Sequence, residues 1–471
     1  VGPKREPLDR LLVGALLWHA ESIALSHSSS RRTLLRSSLV ALAAAMARCS
    51  PVRSLMDSGR EARESDARAL PDADAAPDVL ADAAPDVLAD ADASLDARDS
   101  AGLFPLRTLP PRPPLRSLIA SVGALQPADA NGVRLPPGFR SRVIARTGAA
   151  VERSTYAWHI YPDGGATFVT EDGGWIYVSN SEVLGDVGGV GAIRFDRDGT
   201  IVGAHRILDG TNFNCAGGPT PWSTWLSCEE IERGLVWECD PWGESPAIAR
   251  PALGVFRHEA VAVDHDRQHL YLTEDEWNGR LYRFVPDART PAGYADLRSG
   301  TLEAATVDAL GNVRWDPVPD PRFTGALPTR EQLPDSTAFN GAEGVWYHAG
   351  VVYFSTKGDD RVWAYDVARA RLTVIYTASE HAEPDALRGV DNVIVTCCGD
   401  VLVAEDGGSM QVVAILPDGS SRPLLQVVDE PTSEITGPAL DPSGTRLYFS
   451  SQRGPTGGTT YEITGPFSAP L

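Results

Sequence analysis

The segment from Asn214 to Glu230, NCAGGPTPWSTWLSCEE, holds the residue types best suited to chemistry. Two thiols, Cys215 and Cys228, and the carboxylate pair Glu229-Glu230 flank a turn built from glycine, proline and tryptophan. Glycines let a backbone approach a bound group closely. A thiol and paired carboxylates around such a turn suit a cation. Further acids stand in comparable places: Glu182, then Glu274 with Asp275 and Glu276, then Glu405 with Asp406. Each follows a short apolar run. Burying several like charges together is costly unless cations compensate. Hard cations such as calcium take six to eight oxygens. The repetition points to a cluster of metal ions rather than to solvated loop ends. Three more segments set an acid just ahead of a strand-like run: Arg257-His258-Glu259-Ala260, Gly341-Ala342-Glu343-Gly344 and Asp391-Asn392. His258 reads as a core or surface residue rather than a ligand. The chain has no G-x-S-x-G elbow, H-E-x-x-H pair, phosphate-binding loop or dinucleotide fingerprint.

The runs that position these acids repeat. Trp175–Glu182, Thr224–Glu230, His269–Glu276, Val351–Lys357, Val401–Asp406 and Arg446–Ser451 share one pattern, and a second alternating run follows most of them, such as Ala192–Asp196 or Leu281–Phe284. Aligned on Val178, Leu226, Leu272, Phe354, Val403 and Phe449, the steps are 48, 46, 82, 49 and 46 residues. Paired strands at this period mark a β-propeller, and six repeats predict an all-β, six-bladed ring. The near-constant step and the doubled pattern argue against a β-sandwich. The long step allows an insertion around 290–340. If the runs are equivalent, their acidic ends share one mouth of the channel.

Composition agrees. The formal charge of -21 argues against a nucleic-acid partner, which requires a basic face. Gly (44) and Pro (36) supply turns. Six cysteines in 471 residues are no disulfide framework. Adjacent Cys397-Cys398 suit a mutual disulfide poorly and read as buried small hydrophobes. Near the N-terminus, Arg31-Arg32 precedes an apolar run from Ser38 to Ala47 that ends in Ala45-Met46-Ala47. That pattern reads as a twin-arginine export signal, too short for a transmembrane helix, and predicts a periplasmic or extracellular protein handled by the Tat machinery. Cys49 is a weak candidate for a lipid anchor. AAPDVLAD at 75–82 recurs at 83–90 within an Asp/Ala-rich stretch that cannot bury enough surface to order itself. The predicted organisation is a leader at 1–47, a disordered Asp/Ala/Pro-rich linker at 48–130 and the propeller at 131–471.

Over roughly residues 130–465 the chain resembles the PhoX-type alkaline phosphatase family. The resemblance rests on NCAGGPTPWSTWLSCEE, HEAVAVD at 258–264, YLTEDEWNGRLYRFVP at 271–286, GAEG at 341–344, VDNVIV at 390–395 and LVAEDGG at 402–408. It implies an exported hydrolase of small phosphate esters that holds iron and calcium at one end of the channel, with no organic cofactor. Carried over by position, Cys215 is the thiolate ligand to iron, with Glu259 and Glu343 in the same cluster. Glu182, Glu229, Glu230, Glu274, Asp391 and Glu405 are the remaining metal ligands. One departure stands out. The family carries an arginine two residues before the position of Glu343, where it would hold the substrate phosphate; here that residue is Gly341. Lys357 and Arg388 are the cations that could take its place, beside Glu259 and Glu343 as catalytic residues. Two other readings stay open: a calcium-dependent, lactonase-like hydrolase, and a metal-stabilised binding propeller without catalysis.

Overall fold

The computed structural model describes residues 104–111, 114–381, 386–454 and 457–471. The twin-arginine segment, Cys49 and the 75–90 repeat lie outside the described residues. Among those described, six sheets of four or five antiparallel strands form the predicted propeller. Their innermost strands are Pro162–Val169 (blade I), Asn214–Pro219 (II), His258–Val263 (III), Ala342–His348 (IV), Val390–Val395 (V) and Ile435–Leu440 (VI), and each packs against the next around the channel. The repeated runs of the sequence are the second and third strands of each blade. Their alternation places one face of each blade against each neighbour.

Aromatic residues fill the seams between blades. Tyr177 of blade I stacks on Tyr448 of blade VI at 5.0 Å, and Trp175 Nε1 donates to the Tyr448 hydroxyl at 3.0 Å. Trp225 of blade II donates to Asn180 Oδ1 of blade I at 2.9 Å. Large rings cover wide areas while their polar tips find partners.

The ring closes with strands from both ends of the chain. Arg140–Arg146 pairs with Thr459–Thr464 and completes blade VI, while Val133–Arg134 adds to the edge of blade V. Ordered structure begins before residue 131. Leu115–Ser117 pairs with Ser468–Pro470, Ile119 is buried, and the Arg107 guanidinium lies 4.0 Å over the Trp242 ring. This stretch carries the buried Ile119 and the edge strand Leu115–Ser117.

The long step is no extra blade. It supplies a fifth strand of blade III, Val313–Pro317, and a loop that returns toward the acidic mouth. There Arg330 pairs with Glu274 at 3.3 Å and Glu276 at 3.6 Å. Cys397 and Cys398 depart from expectation. They occupy the turn Thr396–Gly399 between two strands of blade V, so Cys397 is exposed and Cys398 half-buried. Their Sγ atoms lie 3.3 Å apart.

Candidate metal centre

Each innermost strand carries a β-bulge at its entry end. In every blade the ladder slips by one residue, between 162 and 165, 214 and 217, 258 and 261, 342 and 345, 390 and 393, and 436 and 439. A bulge sets two residues opposite one and re-aims a side chain. The first bulged residues are Asp163, Cys215, Glu259, Glu343, Asp391 and, in blade VI, Gly437. Five of the six equivalent positions therefore bear a metal-ligating side chain. The sixth cannot, because a Cβ on Gly437 would lie 2.6 Å from the Asp163 carbonyl oxygen. Small residues follow the ligands. Gly344 is required by close approach, since a Cβ there would lie 2.4 Å from Val393 N of the next blade.

A second ring follows from the second strands. The residue just past each strand end is Glu182, Glu230, Asp275, Lys357, Asp406 and Gln452 in blades I to VI. With Glu434, which lies just before the innermost strand of blade VI, residues of the two rings make four overlapping groups whose ligand atoms lie within 4.8 Å of one another: Asp163, Glu182 and Cys215; Cys215, Glu230 and Glu259; Glu259, Glu343 and Asp391; Asp391, Asp406 and Glu434.

Six of the nine predicted metal residues thus meet: Glu182, Cys215, Glu230, Glu259, Glu343 and Asp391. Glu229, Glu274 and Glu405 do not. They are the last residues of their strands, one position before the ring, and alternation turns them the other way. Glu229 accepts from Asn212 N at 2.9 Å and Leu235 N at 3.1 Å. Glu274 accepts from the Tyr282 hydroxyl at 2.8 Å and pairs with Arg330. Glu405 accepts from the backbone of Arg388, Ser409 and Gln411 at 2.9–3.0 Å. All three brace the loops of their own blades. Asp163, Asp406 and Glu434 join the groups without having been assigned as ligands. Asp163 was findable, because Asp163-Gly164-Gly165 has the acid–small pattern of Glu343-Gly344. His258 is core, bonded to Gly254 O at 3.0 Å and stacked on Phe256.

Three cations border the acids. Lys357 Nζ lies 2.8 Å from Glu343, 3.3 Å from Asp406 and 3.8 Å from Asp391. Arg453 spans Glu434 at 2.6 Å and Glu182 at 3.0 Å. Arg257 reaches Glu230 at 3.4 Å and Glu276 at 3.5 Å. Arg388 is exposed at the rim, where its guanidinium bonds the His381 carbonyl at 3.3 Å, and it touches none of the four groups.

Glu259 has none of this support. It is fully buried, and neither carboxylate oxygen has a hydrogen-bond partner among the described residues. Burial, then Asp391, Glu230 and Asp163, hold its carboxyl well above the usual range. Burial and neighbouring acids raise Asp163, Glu230 and Glu343 in the same way, and Asp391 to about 7. Burial, then Asp163, Glu259, Glu182 and Glu230, also push up the Cys215 thiol. Such a set ionises together only around added positive charge. The donors, many carboxylate oxygens beside one sulfur, fit hard cations with one softer transition ion.

Gly341 faces this centre. Its φ is +64°, and a Cβ would lie 3.2 Å from Asp275 Oδ1 and 3.8 Å from Glu343 Oε1. A side chain at 341 would enter the cluster, and the left-handed backbone opposes one. Gly341→Ala is expected to lower stability by about 1–2 kcal/mol, read from the denaturant midpoint.

The family profile described as Alkaline phosphatase PhoX matches residues 179–239 and 232–454. Pseudomonas fluorescens PhoX, solved in complex with vanadate, a transition-state analogue, superposes at a TM-score of 0.59 with 16% identity, covering 75% of this chain and 98% of that one. A gluconolactonase from Xanthomonas campestris superposes at 0.39 with 15% identity, covering 76% and 99%. These structural likenesses concern the fold. No curated protein matches the sequence. The matched profile spans more than half of the chain, from blade I through blade VI, and the protein accordingly belongs to the PhoX alkaline phosphatase family.

Proposed function

We propose that the protein is an exported, metal-dependent phosphatase that hydrolyses small phosphate esters at the acidic mouth of the propeller. The observation that carries this is the buried, partnerless carboxylate of Glu259 set between Cys215 and Glu343. A cation there gives Glu259 the charge partner that it lacks. Cys215, Asp163, Glu182, Glu230, Glu259, Glu343 and Asp391 would hold iron and calcium, with the sulfur favouring iron. When bound, such ions polarise phosphoryl oxygens and lower the pKa of a coordinated water.

The chain's own residues supply the rest. The bulges fix the ligands on rigid inner strands, so the centre needs little rearrangement. Glu229, Glu274 and Glu405 hold the surrounding loops. Arg257, half-buried next to His258-Glu259 and only loosely paired, is placed to meet a phosphate oxygen where Gly341 has no side chain. A guanidinium there would add charge and directional donors to ester recognition. Export rests on the residues at 31–47. No helix among the described residues is long and apolar enough to cross a membrane.

The test is metal analysis of purified protein beside hydrolysis of a chromogenic phosphate ester. Iron and calcium with turnover are expected, and Cys215→Ser should lose iron while keeping the all-β circular dichroism spectrum. Calcium alone with no phosphate release would refute the phosphatase and leave a metal-stabilised binding propeller.

A further inference from the structure

The second ring contains one exception in charge. Its six equivalent residues are four acids, Glu182, Glu230, Asp275 and Asp406, one amide, Gln452, and one cation, Lys357. Lys357 projects into the acids rather than away from them. Its Nζ has carboxylates of Glu343, Asp406 and Asp391 at 2.8, 3.3 and 3.8 Å. An ammonium has three N–H donors, and here three carboxylates surround it. Its backbone is also fixed, since Lys357 N donates to Gly341 O at 2.8 Å.

The neighbouring blade completes the pattern. Asp391 and Asp406, which pair with Lys357, are two members of the fourth acid group, and Arg453 takes the third, Glu434. Arg453 also reaches Glu182, and Gln452 Nε2 donates to Asp163 and to Glu182. The fourth group therefore has two side-chain cations in contact with its three carboxylates. The group at Cys215, Glu230 and Glu259 has less: Glu230 has one guanidinium contact at 3.4 Å, and Glu259 has no hydrogen-bond partner.

We infer that Lys357 is a built-in cation that takes the place of a metal ion between blades IV and V, so that metal is confined to the three groups that run from Asp163 to Asp391 and none enters the Asp391–Asp406–Glu434 group. With Arg453 it closes the Asp391–Asp406–Glu434 group. The inference rests on reading the mouth as a metal centre. It also assigns Lys357 a role other than gripping substrate, because its ammonium already faces three carboxylates.

Metal content by mass spectrometry, at fixed free calcium and pH 8, tests it. Lys357→Met leaves Glu343, Asp391 and Asp406 without their cation, and is expected to gain about one calcium per chain with iron unchanged. Lys357→Arg keeps the charge and should keep the wild-type content. Lys357→Gln serves as second variant should the methionine protein fail to fold. Unchanged calcium in Lys357→Met and Lys357→Gln overturns the inference, all the more if KM for the chromogenic ester rises, since that marks a substrate contact. Loss of metal overturns it too, by making Lys357 a support for an ion. A wild-type protein free of metal removes the metal centre itself, and is distinguished from these outcomes before any variant is made.

Discussion

Glu259→Gln is expected to strip metal from the mouth and to lower phosphate-ester turnover by roughly a thousandfold or more. Metal ions of this kind contribute several kcal/mol to charge stabilisation, and each 1.36 kcal/mol is tenfold in rate. The substitution keeps the shape of the side chain and removes its charge. Glu259 is fully buried, has no hydrogen-bond partner and belongs to two of the four acid groups. Without metal, its ionised form is opposed first by burial and then by Asp391 and Glu230. The same exchange should therefore raise the melting temperature of chelator-treated protein while lowering that of metal-loaded protein. Opposite signs in the two states separate a ligand from a structural core residue, which would lose stability in both. Equal destabilisation in both would refute the ligand role.

The second large effect is a reversal of pH dependence on chelation. In the metal-free protein, burial raises Asp391, Glu274 and Glu405 each to about 7. A carboxyl raised on folding contributes stability that is full below its unfolded pKa, near 4, and is lost as pH rises through the folded value. The folded state binds the extra protons in that window, so each such group costs about 1.4 kcal/mol per pH unit across it. Chelator-treated protein should thus be more stable at pH 5 than at pH 8. Metal ions bind deprotonated ligands and displace the protons of those acids that lie in the cluster, Asp391 among them, so their affinity rises with pH. An ion present at a thousand times its dissociation constant adds about 4 kcal/mol. Untreated protein should therefore show its highest melting temperature at pH 8, and the two curves should cross on the acid side. Parallel curves in calorimetry would mean that no metal is linked to the carboxyls of the cluster.

The blades were legible because their second and third strands alternate cleanly between turns. The innermost strands were less so. Their bulges, and residues such as Gly164-Gly165, Ala216-Gly217 and Gly437-Pro438, interrupt the period of two. The ligands sit on those interruptions. Cys215, Glu259, Glu343 and Asp391 were candidates by residue type and position, the resemblance gave them roles, and Asp163 was passed over. In the acid pairs 229–230, 274–275 and 405–406 the strand ends at the first member, so the sequence shows two neighbouring carboxylates but not which faces the channel. Backbone donors decide it: the loops of blades II and V offer N–H groups to Glu229 and Glu405, and in blade III Tyr282 and Arg330 take Glu274. Glu434 and Arg453 lie in turns of blade VI without a pattern, and reach the cluster only because the ring closes.

That closure also sets an order of events. Arg140–Arg146 can pair with Thr459–Thr464 only after all six blades have left the ribosome. The same seam brings Asp163 and Glu182, made early, against Gln452, Arg453 and Glu434, made last. A nascent chain holding five finished blades would still have a gap in the wall of its acidic mouth. If the mouth is a metal centre, the ions that need this seam are taken up only after Gln452 and Arg453 have been made, and a chain truncated before Gln452 should emerge as a leaky cup rather than a sealed vessel.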